Sequence, residues 1–495
     1  MIIDEVQRVH AIRKDIRKAL SYTAQVSAKD SKAHGKSLRE SVPRASHAAW
    51  QVEKNRTEAV ELVLEQEKTR VQDLIPIRHE RMAVSPFTFF RGAAVIMAAD
   101  LARTPSTNIK VQACGDAHIA NFGLFHSPER KLVFDINDFD ETCIAPWEWD
   151  VKRLAASLEI CGRDRGFSPQ ERRDVVNAAV RAYRKAMRDF AKMGSMDVWY
   201  EHMDADELYR HMAQAATKKE LRETEQLFRK ASVKNSSRAV SKLTEIVDGQ
   251  RRIVNEPPLI VPIRELARQR TGLDIPDPDM HERERIIALL LTRYRENLPD
   301  DRRRLVEQYR GVDIARKVVG VGSVGLQAWI VVMEGATPDD YLVLQVKEAR
   351  ESVLEPYAGR NPNASHGMRV VRGQKAMQTA SDVLLGWTDM YDKDGKKHSF
   401  YVRQLWDGKT SIDLDDIDED SLEALAGACG WTLAHAHART GNRFAIAGYL
   451  GKNDEFDRAI VEFAAAYADQ NEADYKMFLA AIEDDLTYEE PVIVD

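Results

Sequence analysis

The chain has 495 residues, 44% hydrophobic and 31% charged, which is enough to bury a sizeable core and is the mixture of an ordinary soluble protein. Its 72 Lys and Arg against 79 Asp and Glu leave a formal charge of −7, so there is no global basic excess to argue for nucleic acid. Four cysteines are scattered without metal-ligand spacing, the N-terminus carries no apolar run of a signal peptide, and no stretch approaches the ~18 apolar residues of a membrane span. The expectation is a cytoplasmic protein with no membrane partner.

In chain order, residues 1–80 are charged and helix-prone and read as a helical, partly flexible N-terminal arm. Residues 81–312 read as a helical lobe. Within it, Ser85-Pro86 starts a helix and Phe89 to Leu101 is apolar enough to be buried. Lys110 to Cys114 reads as a short strand, followed by the loop Gly115 to Gly123 and a second strand near 132–140. From Glu148 to about Gln308 the pattern is helical, broken at Pro257-Pro258 and at the Pro-rich 275–280. Residues 313–408 change period and form a strand-rich unit of β-branched and aromatic runs, with a helix over Met368 to Leu385 between them. Residues 409–495 close the chain with helices over Leu422 to Thr440 and Asp454 to Ile482.

Two constellations carry chemistry. In Gly115-Asp116-Ala117-His118-Ile119-Ala120-Asn121, an Asp and an Asn five residues apart can divide labour. Asp116 would orient an attacking hydroxyl or accept its proton, while the Asn121 amide oxygen ligates a cation. Asp138 and Asp140, on the strand that follows, would complete a sparse acidic set of the kind magnesium prefers when phosphates supply the remaining oxygens. Either half alone is also explained by a polar loop capped by its own side chains; the two together favour chemistry.

The second constellation is Gly320-Val321-Gly322-Ser323-Val324-Gly325. Glycines at this spacing also open dinucleotide folds, but those need a helix next, and Leu326 to Met333 is β-branched and aromatic. The glycines Gly320, Gly322 and Gly325, with Ser323, therefore cap a hairpin. The strand returning over 341–347 brings Lys347 back to the glycine loop, where its ammonium can meet phosphates of ATP.

These residues resemble the protein-kinase-like superfamily, including aminoglycoside phosphotransferases. GDAHIAN resembles its catalytic loop, NDFDE its metal-binding segment, and VGVGSVG with LQVKEA its glycine loop and strand-three lysine. The order is reversed here, so the resemblance implies a circular permutation: an α+β, kinase-like two-lobed fold with permuted lobe order. It also implies an adenine-binding hinge near Gln404 to Asp407. One departure stands out. The helix after the lysine strand carries Gln374 and Gln378 but no Glu to pair Lys347, and Glu351 is the substitute at hand. Over residues 40–445 the chain also resembles an uncharacterised bacterial family of unknown function, through SPFTFFRG, CGDAHIANFG, FDINDFDET, WEWDVKRLAASL, GQKAMQ and AHAHARTG.

The reading is an ATP- and magnesium-dependent phosphotransferase, with nucleotidyl transfer as a variant, acting on a small-molecule or protein acceptor. Its rivals are a nucleotide-sensing module without turnover and a metal-dependent phosphoester hydrolase using Asp116, His118 and Asp138. Other features have plainer explanations. His435 and His437 do not share a helix face, which argues against a metal site. The basic stretch 218–252 reads as a solvated helical face, and the acidic run Asp413 to Asp420 suits a helix N-terminus. Trp147 and Trp149 read as core packing, with Asp150 as a helix cap.

Overall fold

A computed structural model describes residues 26–213, 236–266, 280–337, 339–391, 395–405 and 410–483. The fold is α+β. Its larger core gathers the helices Trp147–Asp164, Pro169–Phe190, Glu419–Thr440 and Glu455–Ala481 around four short strands, β1 (Lys110–Ala113), β2 (Phe122–His126), β3 (Leu132–Ile136) and β4 (Cys143–Pro146). The helix Pro169–Phe190 starts where Ser168 caps the Glu171 amide and Glu171 returns a hydrogen bond, with Pro169 at its first position. Trp147 is fully buried and stacks on Tyr183 with ring centroids 5.6 Å apart.

The segment read as an arm is tied to these helices over its described part. Arg44 donates to the Leu450 carbonyl at 2.8 Å, and His47 meets the Tyr449 hydroxyl at 2.7 Å. Arg56 bridges Asp100 and Asp474, residues separated by most of the chain. The run Phe89 to Leu101 is two helices, Pro86–Gly92 and Ala94–Leu101, broken at Ala93, where the backbone leaves helical values.

Strands also interrupt the stretch expected to be helical. β5 (Met203–Asp204) extends the β2–β3 sheet; β6 (Thr244–Val247) and β7 (Gln250–Ile253) form a hairpin; β8 (Ile260–Pro262) joins a larger sheet. The hairpin had a legible signal. Asp248 and Gly249 turn it with φ of 50° and 72°, the chemistry of a two-residue turn. Most of the basic stretch 218–252 lies outside the described residues.

The larger sheet adds β9 (Arg310–Lys317), β10 (Ala328–Glu334), β11 (Tyr341–Ala349), β12 (Gly386–Tyr391) and β13 (Lys397–Gln404) in the order β12-β13-β11-β10-β9-β8, every pair antiparallel. A last short strand, β14 (Thr410–Ser411), pairs with β2. The helix expected over Met368 to Leu385 spans His366–Met377. No helix among the described residues is long and apolar enough to cross a membrane.

The helix Trp147–Asp164 buries ionisable groups along with its apolar face. Lys152 is fully buried, its ammonium has no hydrogen-bond partner among the described residues and it sits 4.8 Å from the Phe463 ring centre. Burial pushes its pKa down to about 7, with Glu148 opposing. Between about pH 7 and 10 the unfolded chain therefore holds more protons at this position than the folded one, and the stability it contributes falls as pH drops through that window. Lys152→Met should raise the thermal midpoint at pH 7 by a few degrees, and the gap should narrow toward pH 10. A midpoint that fell at both pH values would show the ammonium to be stabilising.

Candidate functional site

The hairpin β2–β3 sets the first half of the site. Phe122 pairs with Ile136, so Asn121 and Asn137-Asp138 emerge at the same end, and the Asn137 amide donates to the Asn121 carbonyl at 2.7 Å. The loop before β2 is anchored from beneath. Asp150 accepts the Cys114 and Gly115 amides at 2.6 and 2.9 Å, so it caps this loop and not its own helix, which begins after Pro146. His437 Nε2 lies 3.1 Å from the same carboxylate, and its Nδ1 lies 2.9 Å from the Tyr183 hydroxyl; one ring proton on Nε2 satisfies both contacts. His435 meets the Val198 carbonyl at 2.8 Å. The two histidines are thus structural. Asp418 caps the helix Glu419–Thr440 by accepting from the Ser421 amide, inside the acidic run.

Asp116 is fixed by Arg153, whose Nε donates to Oδ1 at 2.9 Å while Nη2 reaches the Phe90 carbonyl and the guanidinium lies over the Phe90 ring. Burial pushes the Asp116 carboxyl above its ordinary range, with Arg153 opposing. Asn121 Nδ2 donates to the Asp116 backbone carbonyl at 2.8 Å.

The second half comes from the glycine hairpin and β11. Ala328 stands opposite Lys347, so the lysine sits beside the base of the β9–β10 turn. Lys347 is 2% exposed; its ammonium pairs with Asp140 and lies 3.6 Å from Asp138 Oδ2. Burial alone would lower its pKa, but Asp138 and Asp140 outweigh burial and raise it. Asp140 also accepts from the Tyr401 hydroxyl at 2.8 Å and from Ser323 Oγ at 3.4 Å. Glycine-loop and acidic-loop residues separated by about two hundred positions therefore meet at one carboxylate. Asp116, Asn121, Asp138, Asp140, Gly320, Gly322 and Ser323 line one cleft of about 870 Å³. Gly325 and Lys347 are not among its lining residues.

The Lys347 partner is thus the pair Asp138 and Asp140, and Glu351 makes no ion pair to it among the described residues. On the helix His366–Met377, Gln374 bonds Gln378, which donates to the Ile136 carbonyl at 2.7 Å. The helix instead reaches the acidic segment through Arg369, which donates to the Asp140 and Arg350 carbonyls at 2.7 Å each and to that of Thr142. Within the expected hinge, Gln404 is bonded to Asp382, and Trp406 and Asp407 lie outside the described residues. On the face of β11 that carries Lys347, Val343 packs with Ile330, Val332 and Leu405 under Ala239, Val240, Leu243 and Ile253.

Sequence reading missed the glycine loop's clamp. Gly320 and Gly325 hold φ of 64° and 86°. Arg70 Nη1 donates to the Gly322 and Val324 carbonyls at 2.9 and 2.6 Å, Arg78 Nη1 to the Gly322 carbonyl at 3.1 Å, and Arg81 to the Gly320 carbonyl. Arg78 is fully buried and paired with Glu67 at 3.0 Å. Nothing in the spacing of these arginines marks them, because the loop they hold lies some 240 residues away.

A family model described as an uncharacterized protein conserved in bacteria (DUF2252) matches residues 70–481, and the chain belongs to that family. No curated protein and no solved structure matches the chain.

Gly115 tests how tightly the first loop is held. Its φ is 86°, and a Cβ there would come 2.2 Å from the Glu141 carbonyl oxygen. Gly115→Ala should therefore cost roughly 2 kcal/mol or more, read as a lower melting midpoint. An unchanged midpoint would show that the loop relaxes freely.

Proposed function

We propose that this chain binds ATP with magnesium and transfers a phosphoryl group, or a nucleotidyl group, to the hydroxyl of an acceptor. The observation that carries the reading is the meeting of Lys347 with Asp138 and Asp140, two carboxylates that line one cleft together with Ser323, Asp116 and Asn121. A glycine turn between two antiparallel strands, with a lysine on the third, is the arrangement by which kinases cover and contact phosphates.

The donor set suits magnesium. Asp138, Asp140 and the Asn121 amide supply a few hard oxygens, and phosphates would supply others. Among the described residues no group of three His, Cys, Asp or Glu side chains gathers as a cage. Bound there, magnesium would neutralise charge on phosphoryl oxygens. The chain's own residues do the rest. Asp116 accepts the proton of the acceptor hydroxyl as its oxygen bonds to phosphorus, and the bond from phosphorus to the bridging oxygen breaks, releasing ADP in the phosphoryl case. Its raised pKa, set by burial, makes it a better base than an exposed carboxylate. Lys347, always charged in this setting, contacts phosphate oxygens once they compete with Asp140 for it.

A nucleotide-sensing module is the second reading, favoured by the same ion pair. Lys347 bound to Asp140 withholds both groups from a ligand until the pair opens.

Titration with Mg–ATP should raise the melting midpoint, by the equivalent of about 2.7 kcal/mol at 100 times the dissociation constant. Chelation should remove most of the shift, and Asp138→Asn should abolish its magnesium-dependent part. No shift under any condition would refute nucleotide binding.

Asp116→Asn separates catalysis from sensing. Nucleotide affinity should stay within a few-fold, while turnover of an acceptor, or slow ATP hydrolysis, drops by roughly 10² to 10⁴. Loss of affinity with normal turnover at saturation would move Asp116 out of the acid–base role.

A further inference from the structure

Two arginines line the cleft without an ion pair among the described residues. Among the described residues, the buried arginines Arg78, Arg153 and Arg184 pair with Glu67, Asp116 and Asp457. Arg70 is 7% exposed, yet its Nη1 is spent on the Gly322 and Val324 carbonyls and its Nη2 on Gln66 at 3.0 Å. Its Nε is buried with no acceptor. Arg91, at the end of the helix Pro86–Gly92, lines the same cleft, and its Nε is likewise buried without an acceptor. Neither guanidinium makes an ion pair among the described residues.

Both are neighbours of one glycine. Gly322 accepts from Arg70 through its carbonyl, and a Cβ at Gly322 would stand 3.2 Å from the Arg91 carbonyl oxygen. Both residues thus border the glycine loop at Gly322, Arg70 through its guanidinium and Arg91 through its backbone, and both line the cleft. Burial lowers the pKa of each. At Arg70 the Arg78 and Arg350 charges add to that while the Glu141 and Glu67 carboxylates offset part of it, and at Arg91 the Asp116 and Asp415 carboxylates offset part of it. Holding a desolvated cation without a direct ion pair is unfavourable, and a bound anion beside it would offset that cost. A guanidinium presents paired N–H donors that match the oxygens of phosphate.

We propose that Arg70 and Arg91 form an anion site at the tip of the glycine loop that takes the phosphoryl oxygens of a polyphosphate or phosphorylated ligand. The site is additional to Lys347, and it does not depend on group transfer. The anion comes either from a nucleotide's phosphate chain or from a phosphorylated acceptor; the chemistry of recognition is the same.

The test is calorimetric titration of the full chain with sodium tripolyphosphate at low salt, without magnesium, on the wild type, Arg91→Gln and Arg91→Lys. Arg91 is the better probe because Arg70 also shapes the glycine loop. Saturable binding is expected, weakened at least tenfold in Arg91→Gln and less in Arg91→Lys, which keeps the charge but loses the fork. The ligand-free melting midpoint of Arg91→Gln should hold or rise, since a partly buried charge without an ion pair is gone. No saturable binding by the wild type, or equal affinity in Arg91→Gln, overturns the proposal.

A parallel titration with Mg–ATP identifies the source of the anion. A matching loss of ATP affinity in Arg91→Gln assigns it to the nucleotide, whereas unchanged ATP affinity beside weakened tripolyphosphate assigns it to the acceptor; either supports the site. Tripolyphosphate binding in a wild type that ignores ATP would refute the nucleotide reading and leave the anion site standing.

Discussion

A lysine ammonium buried to 2% exposure cannot stand alone, and the contact of Lys347 with Asp138 and Asp140 is what joins the six-stranded sheet to the β2–β3 hairpin. Removing either side would strand a charge in a low-dielectric interior, which typically costs more than the pair contributes in water. The neighbouring contacts are arranged around that pair. Tyr401 and Ser323 donate to the Asp140 carboxylate, and Arg369 holds the Asp140 backbone carbonyl from behind. The acidic segment is thus oriented from the sheet, from the glycine loop and from the helix His366–Met377. The acidic side of the cleft is set because this one residue is held from three directions, at its carboxylate and at its backbone carbonyl.

The parts legible in the sequence were those whose signal is local. The glycines at 320, 322 and 325 followed by a β-branched run implied a hairpin, and strand length placed Lys347 back near its start; Ala328 standing opposite Lys347 is the same arithmetic in coordinates. Asp116 to Asn121 and Asp138 to Asp140 were visible because a hairpin brings the residues before one strand beside those after the next. The α+β class followed from the change of period near residue 313.

What escaped the sequence depends on long-range partners. Asp150 has the look of a helix cap, three residues into a helix beginning at Trp147, yet its two oxygens are taken by the Cys114 and Gly115 amides. An N-terminal carboxylate serves a helix only when no better pair of donors competes for it, and that competition is invisible along the chain. The lysine's partner was sought on the following helix, and the need for a counter-charge was correct. It is met instead by two carboxylates across the cleft, which leaves the helix free to use Arg369 on backbone carbonyls. Charged residues in the first eighty positions suggested a loose arm because charge usually marks solvent. Here Arg44, Arg70 and Arg78 spend their donors on carbonyls, where no apolar periodicity betrays burial.

That last point bears on how the glycine loop works. Such loops are useful because their backbone amides can approach phosphates, and glycine's freedom makes them mobile and entropically costly to order. In this fold, three arginines from residues 70–81 accept that cost in advance by holding the carbonyls of Gly320, Gly322 and Val324. In a trans peptide the amide of the next residue points opposite to the held carbonyl, so fixing the carbonyls also fixes the directions of the Val321, Ser323 and Gly325 amides. A ligand then meets an ordered loop, and less of its binding free energy goes into ordering it. The consequence is a division of labour across the cleft. The glycine-loop wall is held by arginines, while Asp140 is paired with Lys347, and a ligand of the proposed kind would have to exchange that ion pair for its own contacts. On the proposed reading, binding would trade one charge pair for another, and its strength would be set by how well the incoming anion replaces the Asp140 carboxylate at Lys347.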